Sequence, residues 1–318
     1  MARRHLLGAA IFLSLIVPAL SLAHTANAAP DIQWSACDPE FVAGEFPALG
    51  DRLQCGTMRA PLDHQRSDLG DLEVGLVRVR AEKPDERQGV LFFNPGGPGG
   101  SPAAVVPAFA ELWGMASPDD PLNGTKKALI EQFDLVGVIP RGLPGGTQFQ
   151  CRSREILRPY NDITDDRSLA NLRLMASAAA MQARACRQSP IFRFINTEQT
   201  AYDMELARRA LGEATLNYYG LSYGTWLGAW YGAMFPEHVG RLFLDANVDW
   251  TDGFDAAFLA RPPERQRHFE QFVTGAAAAR PDIYGLGTDS SAIASRFAQL
   301  PPRLRSAARK AEVTDPAD

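Results

Sequence analysis

Ser222 is the side chain best placed for covalent chemistry, because it stands at the centre of residues 220–224, Gly-Leu-Ser-Tyr-Gly. A β-branched and aromatic run, residues 215–219, precedes this pentapeptide, and residues 224–235 follow it with a helical pattern. A tight strand-to-helix turn strains the backbone of its central residue and lifts the side chain clear of the sheet. We therefore predict Ser222 as a nucleophile. The alternative is a structural serine in an ordinary strand–helix turn.

A second glycine-rich turn, residues 94–101 (Asn-Pro-Gly-Gly-Pro-Gly-Gly-Ser), follows a short apolar run. Consecutive glycines let backbone N–H groups approach a ligand, and the prolines stiffen the turn in advance. We predict an oxyanion hole in which the N–H groups of Gly97 and Tyr223 stabilise negative charge, with Gly96 or Gly99 as alternatives to Gly97. A plain surface turn is the other reading. Phosphate binding is less favoured, since neither Gly-Lys-Ser/Thr nor Gly-x-Gly-x-x-Gly is present.

Short apolar runs that alternate with helical segments must position these two turns. The sequence predicts strands at residues 72–80, 89–93, 133–139, 215–219 and 241–244, and helices at 167–187, 199–212 and 224–235. Residues 31–70 are rich in Pro, Gly and Asp and predict an irregular lead-in, and 72–80 resembles an outer strand. The pattern indicates an α/β fold, a mostly parallel sheet with helices on both faces.

The N-terminus, residues 1–28, has the features of a signal peptide. Arginines precede a mostly apolar stretch over residues 6–22, and Ala26-Asn-Ala28 fits the small-residue pattern that signal peptidase accepts. We predict cleavage after Ala28, export to the periplasm or the extracellular medium, and no membrane contact after cleavage. An uncleaved membrane anchor is the alternative, against which Pro18 and the cleavage-like site argue.

Export changes the interpretation of the cysteines. Cys37, Cys55, Cys151 and Cys186 are an even set that can form disulfides in an oxidising compartment. We predict the pairs Cys37–Cys55 and Cys151–Cys186, since each closes a short loop around polar, irregular sequence. Other pairings and four free buried thiols are the alternatives. No catalytic role is expected for any of them.

Composition excludes several classes of protein. The chain has 318 residues, of which 46% are hydrophobic and 22% charged, with a formal net charge of −5. These values are ordinary for a globular protein and exclude a disordered, collagen-like or coiled-coil chain. The negative charge and the lack of a Lys/Arg cluster beyond the first residues argue against nucleic acid as a partner. No Cys or His spacing typical of zinc is present, so we predict no metal and no organic cofactor.

Five stretches are together similar to one enzyme family. They are residues 55–63 (Cys-Gly-Thr-Met-Arg-Ala-Pro-Leu-Asp), 94–101, 133–142 (Phe-Asp-Leu-Val-Gly-Val-Ile-Pro-Arg-Gly), 217–228 (Asn-Tyr-Tyr-Gly-Leu-Ser-Tyr-Gly-Thr-Trp-Leu-Gly) and 235–245 (Phe-Pro-Glu-His-Val-Gly-Arg-Leu-Phe-Leu-Asp). They resemble the tripeptidyl aminopeptidase and prolyl aminopeptidase branch of the α/β-hydrolases, over about residues 34–255. The resemblance implies an α/β-hydrolase fold, Ser222 as nucleophile, and an exported serine exopeptidase that removes short peptides or proline from substrates with a free N-terminus.

The C-terminal part departs from this resemblance. An α/β-hydrolase triad runs in the order Ser, then Asp or Glu, then His, and its acid and base follow later strands. Residues 246–318 are rich in Ala, Arg and Pro, with helical stretches near 263–280 and 290–310, and show no strand followed by Asp and no Gly-His. We therefore expect a hydrolase core over 29–250, a partial helical cap over 251–318, and an acid and base that belong to a missing C-terminal segment.

No residue of the chain itself is expected to act as the base. His64 follows Pro-Leu-Asp and is expected in a surface turn, and His268 on a solvated helix face. His238 precedes the last strand, and a strand of about six residues at ~3.3 Å each would hold it about 20 Å from the nucleophile. Asp245 or Asp249, just after that strand, could serve as the acid. The last strand is also expected to be an uncovered apolar edge.

The leading hypothesis is thus a serine exopeptidase that forms an acyl-enzyme. A carboxylester hydrolase is an alternative, because the same groups cleave esters. The other alternative is a non-catalytic exported protein that keeps the pocket as a binding surface, which the lack of a base favours.

Overall fold

The computed structural model describes residues 30–163, 166–301 and 304, so the predicted signal peptide lies outside the described residues. Seven strands form one mixed sheet. In chain order they are β1 (Gln33–Ala36), β2 (Leu53–Pro61), β3 (Asp71–Val79), β4 (Gly89–Asn94), β5 (Phe133–Val138), β6 (Leu216–Leu221) and β7 (Val239–Asp245). Across the sheet their order is β1-β2-β3-β5-β4-β6-β7, so four of the five predicted strands, β5, β4, β6 and β7, lie together in one half.

That half, formed by β5, β4, β6 and β7, is parallel, as the alternation of apolar runs and helical segments predicts. β4 and β6 are neighbours, and Asn94 at the end of β4 lies beside Gly220. Parallel strands end at the same edge of a sheet, which is where ligand sites of α/β folds lie. The two glycine-rich turns that follow β4 and β6 therefore emerge side by side.

The other half, β1 to β3, is antiparallel to its neighbours. The prediction of an irregular lead-in over residues 31–70 was wrong, since β1 and β2 lie there. β2 alternates between faces, with Met58 and Ala60 buried and Arg59 exposed, and it pairs with β3 along its whole length. The Pro, Gly and Asp around β2 conceal this alternation. β3 is not an outer strand either, because long-range pairing places it between β2 and β5.

Helices cover both faces of the sheet, as predicted. They are α1 (Pro102–Gly114), α2 (Gly124–Gln132), α3 (Leu169–Arg187), α4 (Thr197–Ala210), α5 (Tyr223–Met234), α6 (Phe254–His268), α7 (Thr274–Ala279), α8 (Pro281–Tyr284) and α9 (Ser290–Gln299), and a π-helical turn joins α6 to α7. In the part of the chain that the structure describes, no helix has the length and apolar character needed to cross a membrane.

Two hydrophobic cores fix the sheet between these helices. One lies under α4 and α5 and includes Met204, Leu227 and Tyr231. The other lies under α1 and α2 and includes Val106 and Ile130. Each large apolar side chain buried in this way contributes about 1.5–3 kcal/mol relative to an exposed one. Packing on both faces holds the strand ends, and with them the turns that follow, in fixed positions.

Both expected disulfides are present. Cys37, just after β1, bonds Cys55 of β2. Cys151, in the segment after β5, bonds Cys186 of α3. The first bond links the paired strands β1 and β2, and the second ties α3 to the segment after β5. Such links stabilise chiefly by restricting the unfolded chain.

β7 forms an edge of the sheet. It pairs with β6, and no second neighbour lies beside it among the described residues. Phe243 at its centre is 62% exposed. An apolar strand with free backbone groups is a place where another strand can pair, as the sequence predicts for this edge.

Candidate active site

Ser222 occupies the turn between β6 and α5 with φ 56° and ψ −120°. A positive φ is uncommon for a residue with a side chain, and such conformations cost on the order of 1–3 kcal/mol. The surrounding backbone holds the turn on both sides. The Ser222 N–H donates to the carbonyl of Asp245 and the Thr225 N–H donates to the carbonyl of Ser222, each at 2.9 Å. The strained strand-to-helix turn that the sequence predicts is therefore present.

Glycines flank this turn because neighbouring backbone leaves no room for side chains. A Cβ on Gly220 would lie 2.5 Å from the carbonyl oxygen of Gly224, and a Cβ on Gly224 would lie 2.6 Å from the carbonyl oxygen of Asn94. Both distances are far inside van der Waals contact. The spacing of the pentapeptide thus follows from the close approach of β4, β6 and α5.

The glycine loop over residues 94–101 packs directly against the turn at Ser222. Gly96 has φ +95°, and a Cβ on it would lie 2.4 Å from the carbonyl oxygen of Leu221 and 3.0 Å from the Cβ of Ser222. The buried Asn94 side chain accepts a hydrogen bond from the Gly96 N–H at 2.9 Å and fixes the start of the loop. This contact brings the loop and the serine to one place, as the two motifs require.

A cavity of about 210 Å³ opens beside this contact, and Gly97, Ser222 and Tyr223 all line it. The structure thus brings together the three residues that the sequence singles out. The N–H of Tyr223 lies in the first turn of α5, where backbone N–H groups have no acceptor within the helix. The positive end of the helix dipole adds to the attraction for a negative charge. Gly99 lines a different, larger cavity.

The two acid candidates have different surroundings. Asp249 lines the cavity beside Ser222. Its pKa is lowered by hydrogen bonds from the side chain and backbone N–H of Thr251, so its carboxylate is ionised. Asp245 instead accepts a hydrogen bond from the Tyr219 hydroxyl at 3.0 Å. Burial and this bond raise the pKa of Tyr219 to about 12, which keeps the phenol a donor.

Two histidines lie where the sequence predicts them. His238 is in the short turn before β7, at the amino edge of the sheet, with its Nδ1 3.1 Å from a carboxylate oxygen of Glu205. His268 ends α6 on an exposed face and contacts the Phe272 ring. Neither residue lines the cavity at Ser222.

His64 lies in a turn, as predicted, but the prediction that it is a surface residue was wrong. Its side chain is only 10% exposed, its Nε2 lies 2.8 Å from Asp203 Oδ1, and its ring stacks on Tyr202. Asp203 is fully buried and also pairs with Arg141, with Nη2 2.6 Å from Oδ1. Sequence reasoning missed this cluster because it joins a loop to a helix 139 residues away. The available signal was Arg141, in the Pro-Arg-Gly that ends the stretch 133–142.

Comparison with known proteins agrees with this geometry. A family profile for the alpha/beta hydrolase fold matches residues 81–280. The chain belongs to this family. The α/β-hydrolase is 33% identical over 239 residues to the tripeptidyl aminopeptidase of Streptomyces coelicolor. It is 30% identical over 232 residues to the serine protease Hip1 of Mycobacterium tuberculosis, and 31% identical over 277 residues to carboxylesterase B of the same organism. The resemblance drawn from the five stretches is confirmed.

The matches differ in how much of each protein they cover. The match to the aminopeptidase covers 73% of this chain and 40% of the relative. The match to Hip1 covers 69% and 40%, and the match to carboxylesterase B covers 86% and 50%. The chain therefore spans about half or less of the length of these relatives. The residues discussed above, from the glycine loop to β7, fall within the profile match.

Proposed function

We propose that this chain carries the nucleophile and the oxyanion hole of a serine hydrolase, most specifically an exopeptidase that releases short peptides or proline from free N-termini. The observation that carries the proposal is the strained turn that presents Ser222 at a cavity, with the glycine loop packed against it. Similarity to the Streptomyces aminopeptidase supports the choice of a peptide substrate.

In this proposal Ser222 Oγ attacks the carbonyl carbon of the scissile bond while its proton passes to a base. The carbonyl oxygen becomes negatively charged and accepts hydrogen bonds from the N–H groups of Gly97 and Tyr223. Collapse of this intermediate breaks the C–N bond as the base returns the proton to the leaving amine. Water then cleaves the acyl-enzyme by the same steps. Each N–H group is expected to contribute about 10²–10³-fold in rate, because it is in place before the charge forms.

The base is the part of the machinery that the described residues do not supply. No histidine lines the cavity at Ser222 among them. We propose that the base, and the acid that orients it, come from a further segment, with Asp249 as the local alternative for the acid. Phe258 and Arg261 of α6 also line this cavity, so we also propose that the helices from residue 251 onward form part of a cap.

A carboxylester hydrolase is the second candidate. The similarity to carboxylesterase B covers a larger share of the chain, 86%, than the similarity to the aminopeptidase. The same serine and N–H groups serve ester cleavage, in which the leaving group is an alcohol and needs less help from an acid. A binding protein without catalysis is the third candidate, favoured because none of the described residues that line the cavity is a histidine.

The test is labelling of the purified protein with a fluorophosphonate, followed by peptide mapping. We expect modification at Ser222, none in the Ser222→Ala variant, and unchanged labelling in Ser291→Ala, which removes an exposed serine far along the chain in α9. Tripeptidyl amides against short esters then separate peptidase from esterase. If labelling needs co-expression of the polypeptide encoded downstream, the base lies there. Unlabelled Ser222 in both preparations would reject the hydrolase proposal.

We also propose export, with a mature N-terminus at Ala29. The two disulfides support this, because such bonds persist in oxidising compartments. N-terminal sequencing of protein recovered outside the cytoplasm would show the cleavage site directly.

A further inference from the structure

A second and larger cavity adjoins the one at Ser222. Its volume is about 540 Å³, within the range of about 300–1,000 Å³ typical of small-ligand pockets. Tyr223 lines both cavities, and Pro98 and Gly99 extend the glycine loop along the wall of the larger one. The two spaces thus adjoin at Tyr223.

The walls of the larger cavity are apolar. Side chains from four segments form them: the loop after β5, the segment before α4, helix α5 and the start of α6. They are Leu143, Phe149, Ile195, Trp226, Trp230 and Phe254. The Phe254 ring packs edge-on against both Tyr223 and Trp226. Aromatic walls of this kind favour apolar and aromatic ligands, whose burial is the main source of their binding free energy.

Arg141 brings the one permanent charge to the lining of this cavity, and that charge is already neutralised. Its side chain is fully buried, and Nε and Nη2 donate to the two oxygens of Asp203 at 2.8 and 2.6 Å. The remaining N–H groups donate to the carbonyls of Pro61, Leu62 and Phe194. A guanidinium has five N–H groups, and all five are engaged. Arg141 thus has no donor left for a carboxylate.

The amide and hydroxyl side chains in the lining also have partners in the protein. Asn196 accepts from the Gln199 N–H and caps α4, and the hydroxyl of Thr200 donates to the Asn196 carbonyl. The hydroxyls of Thr197 and Tyr223 bond each other at 2.6 Å. Burial raises the pKa of Tyr223, so this phenol stays neutral. The cavity therefore offers a ligand contact area without an unpaired charge.

We propose that this cavity binds the side chain of the residue whose carbonyl Ser222 attacks, and that it selects large, uncharged, apolar side chains, aromatic ones above all. The assignment to the acyl part of the substrate rests on the proposed function. The N–H groups that would hold the carbonyl oxygen belong to Gly97 and Tyr223. Tyr223 itself lines the larger cavity, as do Pro98 and Gly99, which directly follow Gly97, so a substrate carbonyl held by these groups would lie beside it.

Binding can be measured without catalysis. In the Ser222→Ala protein we would titrate three tripeptide amides with free N-termini, Ala-Ala-Phe, Ala-Ala-Ala and Ala-Ala-Glu, by calorimetry. Transfer of a Phe side chain from water to an apolar site corresponds to about a 10- to 100-fold preference over alanine. The glutamate peptide is expected to bind no better than the alanine peptide. Equal affinities for all three peptides, or a preference for glutamate, would overturn the inference.

A pair of tryptophan variants tests whether the Phe side chain binds in this cavity. Trp230 lines the cavity and is 39% exposed, whereas Trp250 is 41% exposed and does not line it. Trp230→Asp is expected to reduce the Phe preference to less than about threefold, because the carboxylate must stay hydrated. Trp250→Asp is expected to keep it. Leu143→Asp is a second cavity variant, should Trp230→Asp fail to fold. A Phe preference that survives in the cavity variants would place the side chain elsewhere.

The two proposals can fail separately. Phe-selective binding without fluorophosphonate labelling would reject the hydrolase and leave an apolar binding site. Labelling at Ser222 without any Phe preference would support the hydrolase and reject the selective cavity.

Discussion

Replacing Gly96 with alanine tests whether the glycine loop must touch the turn at Ser222. The added Cβ would lie 2.4 Å from the carbonyl oxygen of Leu221 and 2.9 Å from the backbone nitrogen of Tyr223, so either the loop or the turn has to move. Gly99 provides a matched control in the same loop. Its φ of +85° is close to the +95° of Gly96, but nothing lies within 4 Å of its Cβ position.

The two substitutions share one cost and differ in another. Alanine at a φ this positive costs on the order of 1–3 kcal/mol at either position. Overpacking against backbone adds about 1–3 kcal/mol at Gly96 alone. We therefore expect Gly96→Ala to lower the free energy of unfolding by about 2–6 kcal/mol and Gly99→Ala by about 1–3 kcal/mol. The displaced loop also carries Gly97, so labelling of Ser222 should fall by about 10²-fold or more in Gly96→Ala.

Urea unfolding, followed by tryptophan fluorescence, measures the change in the free energy of unfolding. The midpoints of the variants are compared where the dependence of that free energy on urea has the same slope. The rate of fluorophosphonate labelling measures the change in the reactivity of Ser222. The reasoning depends on the difference between the two variants. Equal losses of stability in Gly96→Ala and Gly99→Ala would show that backbone strain accounts for the whole effect, and that the contact between loop and turn is loose enough to accept a methyl group.

Two further predictions concern surfaces and buried charge. Phe243→Lys on the edge strand β7 should reduce self-association measured by light scattering, because a charge opposes edge pairing. Phe272→Lys, at the same 62% exposure but off the sheet, should have little effect. Equal effects of the two substitutions would contradict a role for the edge. Asp203→Asn should lower the free energy of unfolding, measured in urea, by about 3–5 kcal/mol, since it leaves the charge of Arg141 buried without its partner. A loss below about 1 kcal/mol would show that His64 or water replaces Asp203 as the hydrogen-bond partner of Arg141.

The sequence by itself determined the two glycine-rich turns, the strands that precede them, β4 and β6, and the helix α5 that follows Ser222. These features are encoded locally. At Ser222, a β-branched run, a Gly-x-Ser-x-Gly and a helical pattern follow one another within about twenty residues, and each is set by backbone sterics and by the period of apolar side chains. The prediction that Gly97 and Tyr223 share one oxyanion hole agrees with the general rule that parallel strands end at the same edge of a sheet.

Only the tertiary structure decided the antiparallel half of the sheet, the burial of His64 and the larger cavity. Each depends on residues far apart in sequence, such as His64 and Asp203, or Leu143 and Phe254. Local composition misled at β2, because Pro, Gly and Asp around it concealed an alternation that pairing with β3 makes stable. A polar residue such as His64 looks solvated in isolation, and its burial becomes favourable only when a charged partner and hydrogen bonds from another element replace water.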